Sequence, residues 1–142
     1  YISSEFLKQG SPVVLEENTQ GIRHTLSVSR RGLMYNVALV VLINKGSASA
    51  SEIVSGALRD NRNVKLVGEK SFGKGSVQEV VKLQDGLSFL KVTIANWLTP
   101  KGNLISEIGL TPDIKVEISE EDINSGKDPQ LKKAIEIIKG LE

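Results

Sequence analysis

Val37-Ala38-Leu39-Val40-Val41-Leu42-Ile43 runs into Asn44-Lys45-Gly46-Ser47-Ala48-Ser49-Ala50-Ser51-Glu52-Ile53, and the fold turns on how this stretch is read. The first seven residues are continuously apolar and rich in β-branched side chains, which predicts a strand buried on both faces. Gly46 and the small residues after it predict a turn. Ile53, Val54, Ala57 and Leu58 then recur on one helical face, which ends near Asp60-Asn61. Val64 to Val67 reads as a second buried strand. Strand, helix and strand within about 30 residues make a βαβ unit, and therefore a parallel sheet. A helix launched from such a turn points unpaired N–H groups outward, beside three alternate serines.

Working outward, Ile2 to Leu7 carries apolar residues at 2, 6 and 7 and reads as the end of an amphipathic helix, closed by Gly10-Ser11-Pro12. Pro12 to Leu15 is a short strand. Glu16 to Gly32 is polar and reads as a strand pair or an exposed loop. On the other side, Val77 to Leu83 and Leu87 to Ala95 flank Asp85-Gly86, a hairpin signal. Within the second arm, Leu90, Val92 and Ile94 are expected to share a face. Thr99-Pro100-Lys101-Gly102 and Gly109-Leu110-Thr111-Pro112-Asp113 are turns, the latter leading into Ile114 to Ile118. A last helix starts at the N-cap Asp128 with Pro129 as its first residue, buries Leu131, Ala134, Ile135 and Ile138, and stops at Gly140. The expected class is α/β: a parallel βαβ unit, a β-hairpin and a C-terminal helix.

The 142 residues suffice for one domain with a core. Eighteen basic residues against seventeen acidic leave a net charge of +1 without a basic stripe, so neither nucleic acid nor an anionic membrane is expected as a partner. There is no cysteine, which excludes disulfides and thiol catalysis. No apolar run approaches the ~18 residues needed to span a bilayer. Nothing in the pattern calls for a metal or a cofactor. Tyr1 reads as lying inside an element, so the chain is expected to be cut from a larger protein.

The serine cluster invites nucleophilic chemistry at Ser47, Ser49 or Ser51, with Lys74, set between Gly73 and Gly75, as the base. A lysine can accept a proton only as the neutral amine, and the free side chain titrates near about 10.4. Burial and the positive end of a helix both favour the neutral form, and Phe72 is placed to help exclude water. A bland reading competes. Ser49 followed by Glu52 fits a capping box, and Lys74 fits an exposed loop. His24, the one histidine, sits among Arg and Thr as a surface residue, which leaves a Ser-His-Asp triad poorly motivated. Gly68-Glu69-Lys70-Ser71-Phe72-Gly73-Lys74 has the spacing of a phosphate-binding loop, but Gly75 stands where Ser or Thr is needed, and a strand rather than a helix should follow.

These residues taken together resemble the carboxyl-terminal processing, or tail-specific, serine proteases. The resemblance rests on Asn44 to Ile53, Gly56-Ala57-Leu58-Arg59-Asp60, Val67 to Gln78, Thr99 to Gly102 and Gly109 to Asp113, and covers most of residues 37 to 118. It implies a crotonase-like core and a serine endopeptidase that cleaves polypeptides with unstructured C-termini. Ser49 is then the nucleophile and Lys74, at 74 − 49 = 25 positions later, the general base. Gln78 matches a glutamine that orients the lysine in some members. On a regular strand residues 74 and 78 lie about 13 Å apart, so their meeting needs a bend at Gly75 or two extended side chains. The backbone N–H of Ala50 would be one oxyanion donor. The family's other donor, from an Asn-Pro-Gly-Gly-like turn, and its PDZ domain find no match in residues 1–142, making this a partial protease core. The resemblance also implies an extracytoplasmic location, in a bacterial cell envelope or its equivalent. A non-catalytic peptide-binding or scaffolding module with a vestigial site is the alternative.

Overall fold

The computed structural model describes residues 1–140. In chain order the elements are α1 (Ile2–Phe6), β1 (Pro12–Asn18), β2 (Arg23–Ser27), β3 (Val40–Ile43), α2 (Ala50–Arg62), β4 (Lys65–Gly68), β5 (Ser76–Lys82), β6 (Phe89–Leu98), β7 (Ile114–Lys115), α3 (Glu120–Asn124) and α4 (Pro129–Lys139). The βαβ unit forms as expected: β3 and β4 pair in parallel, Val40 opposite Lys65 and Ile43 opposite Gly68, with α2 crossing between them. β7 adds to the far side of β4, giving the order β3-β4-β7. Asp113 fixes that junction, its carboxylate accepting from the Leu66 N–H at 2.8 Å while its own N–H bonds the Leu66 carbonyl.

β3 corrects one expectation. It is an edge strand, with no strand neighbour on one side among the described residues, and Leu42 stays 40% exposed. Only Ile43 of the four is fully buried. The central β4 has the expected burial, with Leu66 and Val67 inaccessible.

A second, antiparallel sheet has the order β2-β1-β6-β5. The polar stretch after Leu15 resolves into the strand pair rather than a loop, since β1 runs on to Asn18 and β2 returns beside it. β1 also pairs with the far end of β6, Leu15 opposite Leu98 and Asn18 opposite Ala95. The hairpin of β5 and β6 is present, with a longer tip than Asp85-Gly86 alone suggests. The Leu83 N–H bonds the Ser88 carbonyl, and the Asp85 carboxylate accepts from the Leu87 and Ser88 amides. Gln78 opposes Thr93 whereas Val77 opposes Ala95, which leaves Ile94 as a bulge and breaks the expected Leu90, Val92, Ile94 face. All three remain exposed.

α2 packs on β1 of the antiparallel sheet and on β4 of the parallel one. Its Ala57 and Leu58 join Leu7, Val28 and Val64 in one core cluster, while Ile43, Leu66, Ile105 and Leu110 form the other. α4 lies on β3 and β4, starting at the Asp128 cap and Pro129 as expected. Its rotation differs from the apolar pattern. Gln130 is buried and donates to the Val116 carbonyl at 2.8 Å, which turns Gln130 and Ala134 inward and leaves Leu131 and Ile135 exposed.

Candidate active site

The three serines, equivalent by pattern, occupy different environments. Ser47 Oγ accepts from the Asn44 N–H at 3.1 Å and helps to close the turn out of β3. Ser51 lies in the first turn of α2, where its carbonyl accepts from Ser55 Oγ. Ser49 is the N-cap, with φ 55° and ψ −116°, a backbone conformation that costs a non-glycine residue on the order of 1–3 kcal/mol. Its hydroxyl has the outline of a capping box without closing a cap hydrogen bond, and the side chain is exposed. The next residue, Ala50, is the first of α2, and its N–H carries no hydrogen bond among the described residues. A strained, exposed serine followed by a free helix-terminal N–H is an arrangement suited to attack a carbonyl and to hold the resulting oxyanion.

Glu52 organises this centre in a way that goes well beyond its expected capping role. Its side chain is wholly inaccessible, and each carboxylate oxygen accepts two hydrogen bonds. Oε1 takes Ser71 Oγ at 2.5 Å and the Gly73 N–H at 2.7 Å. Oε2 takes the Ser49 N–H and the Lys74 N–H, each at 2.9 Å. The amides of the candidate nucleophile and the candidate base thus converge on one oxygen across 25 residues of chain. Ser71 Oγ in turn accepts from the Leu110 N–H at 2.6 Å, and the Phe72 N–H bonds the Ser47 carbonyl at 2.9 Å. The signal in the sequence was a carboxylate on the inward side of a helix start, flanked by small residues. Its partners, 19 to 22 residues away, were not readable there.

The same carboxylate disposes of the phosphate-loop reading. Two amides of the 68–75 loop that would cradle a phosphate already hold Glu52, and strand β5, not a helix, follows. Gly73 and Gly75 are used for close approach. Gly73 has φ 90°, and a Cβ on Gly75 would stand 2.3 Å from the Ser106 nitrogen. His24 is exposed on β2 opposite Glu16, and its side chain makes no hydrogen bond to α2 among the described residues.

One expectation about the base, its desolvation, is corrected. Lys74 is exposed and Phe72 is 66% exposed, so the described residues fix the lysine's backbone without desolvating its side chain. The glycines that allow the loop to pack place its backbone, not the Lys74 amine, in the interior. Gln78 lies within β5, exposed, and makes no hydrogen bond to Lys74 among the described residues. Lys74 itself precedes the strand, so the two do not belong to one regular ladder.

Residues 1–116 match the family described as Peptidase family S41. The carboxyl-terminal-processing protease of Synechocystis is 41% identical over 133 residues, 92% of this chain and 31% of that protein. The chloroplastic C-terminal processing peptidase of Tetradesmus obliquus is 44% identical over 105 residues, 74% of this chain and 22% of that one. Among solved structures, the photosystem II D1 C-terminal processing protease superposes with a TM-score of 0.76 at 40% identity, covering 82% of this chain and 30% of its own. The chain therefore spans less than a third of the length of these relatives.

Proposed function

The chain belongs to peptidase family S41, and from that premise we propose that it is the part of a carboxyl-terminal processing serine endopeptidase that carries the Ser49–Lys74 pair. The observation that supports this best is the shared Glu52 oxygen, which sets the Ser49 and Lys74 amides side by side while leaving the Ala50 N–H free. In the proposed reaction Ser49 Oγ attacks the scissile carbonyl as its proton passes to the neutral Lys74 amine. The oxyanion accepts from the Ala50 N–H. When the C–N bond breaks, Lys74 returns the proton to the leaving amine, and water then hydrolyses the Ser49 ester by the reverse transfer. Gln78 would orient the lysine once a substrate covers both side chains. The substrate class is a polypeptide with an unstructured C-terminus.

No described helix is long and apolar enough to cross a membrane. We place the protein outside the cytoplasm, in a bacterial envelope or an equivalent compartment. The name of the Tetradesmus relative assigns that protein to a chloroplast, so fractionation of the source cell is the direct check.

A fluorophosphonate probe should label Ser49, and cleavage of an unstructured tail should disappear in both Ser49→Ala and Lys74→Ala. Undiminished cleavage in either variant removes the reading. The exposure of Lys74 favours the non-catalytic scaffold as the second reading, and failure of Ser49 to label would select it.

A further inference from the structure

The antiparallel sheet ends in two edges of different character. At β2, the hydrogen bond from the Asn18 N–H to the Ile22 carbonyl sets the alternation, so Arg23 and Thr25 turn their backbone groups outward. That edge is polar, and Arg23 is ion-paired to Glu17. These are the usual devices that keep an edge from pairing. At β5 the Trp97 N–H bonds the Gly75 carbonyl and the Leu83 N–H bonds the Ser88 carbonyl, so residues 75, 77, 79, 81 and 83 face β6. Ser76, Gln78, Val80 and Lys82 therefore present their N–H and C=O groups to open space on the other side. This edge has no proline and no bulge of its own, because the extra residue sits on β6. Val80 and Val81 are exposed on opposite faces, with Phe89 and Leu90 behind them.

The open edge starts two residues after Lys74. We propose that β5 is a strand-addition site that takes the substrate polypeptide in extended form and leads it to Ser49 and Lys74. The assignment rests on the peptidase reading above. Main-chain pairing holds a chain regardless of its sequence, and the exposed valines on both faces meet alternate side chains of the added strand. A strand laid here pairs alongside Gln78 and ends two residues from Lys74. A second copy of the chain could use the edge too, but it would gain nothing from the edge's ending at the reactive pair.

The test uses β-casein as an unfolded polypeptide and the whole chain carrying Ser49→Ala to prevent cleavage. Amide hydrogen exchange read by NMR should slow at Ser76, Gln78, Val80 and Lys82 and not at Glu79 or Val81, which already bond β6. Absence of that alternation overturns the site. Slowing that occurs without β-casein and grows with protein concentration means that copies pair edge to edge, which also overturns it. In the chain with Ser49 intact, Val80→Pro removes an outward N–H and no internal bond, a substitution edge strands accept. Its cleavage of β-casein, normalised to fluorophosphonate labelling of Ser49, should fall about tenfold, the worth of one or two backbone hydrogen bonds. Thr25→Pro, the same change at the opposite edge, should leave the ratio unaltered, and an unaltered ratio in Val80→Pro sinks the proposal while leaving the peptidase reading intact. If Ser49 does not label at all, the peptidase reading falls, and the exchange pattern alone decides the strand-addition site.

Discussion

On one side of Gly75 lies a junction where Glu52, Ser71, Gly73 and Leu110 close on one another, with every buried side-chain polar atom among the described residues partnered. On the other side lies a ribbon, β5 with the outer part of β6, whose residues bond chiefly to each other and leave Val80, Phe89 and Leu90 in solvent. The junction spends buried polar contacts on fixing backbone positions to within a hydrogen-bond length. The ribbon leaves backbone groups open. Reacting groups need the first kind of environment, because a misplaced nucleophile or base loses rate steeply. A surface that receives another chain needs the second. The two are joined through a single glycine whose lack of a Cβ lets residues 105–106 pass against it.

Substitutions should separate the two regions by an order of magnitude in stability. Glu52→Ala would leave three amides and a hydroxyl without an acceptor, the Gly73 amide and the Ser71 hydroxyl among them in the interior, and is expected to cost about 3–5 kcal/mol in urea unfolding and to abolish Ser49 labelling. A cost near that of a surface change would mean that the junction is not held by this carboxylate. Gly75→Ala forces a Cβ against the Ser106 nitrogen and should cost about 2–3 kcal/mol by the same measurement, with the ribbon's own hydrogen bonds retained. The ribbon's tip should respond least, and to acid. Hydrogen bonding from the Ser88 side chain, then from the Ser88 and Leu87 amides, holds the Asp85 carboxyl below its ordinary value. A lowered folded-state value means that this contribution is present above the unfolded value of about 3.9 and is lost as pH falls through the folded one. Faster exchange of the Leu87 and Ser88 amides should appear only in that acid range, and Asp85→Ala should show the fast exchange at neutral pH. Equal behaviour of the two proteins at neutral pH would show that the tip does not depend on Asp85.

Local features were legible in the sequence where neighbours along the chain cause them. The Asp128–Pro129 helix start, the hairpin around Asp85-Gly86 and the βαβ unit from Val40 to Gly68 each arise from periodicity or turn chemistry within a few residues. Lys74 stood out by its flanking glycines, whereas Ser49 was reached only through the resemblance its surroundings bear to a protease family, because pattern alone left three serines equal. What failed was burial: Leu42, Leu131 and Ile135 are apolar yet exposed, and Gln130 and Glu52 are polar yet buried. Burial depends on which face meets a neighbour, and the neighbours come from elsewhere in the chain.

The sequence by itself determined the elements, the order in which they occur and the residue types available for chemistry, because helix, strand and turn propensities act over a few bonds. Only the tertiary structure decided that Glu52 would hold the Ser49 and Lys74 amides together, that β1 would pair with β6 across some eighty residues, and that β5 would be left as an open edge. Those outcomes belong to contacts between distant segments, where closing the loop is repaid only once both partners have arrived.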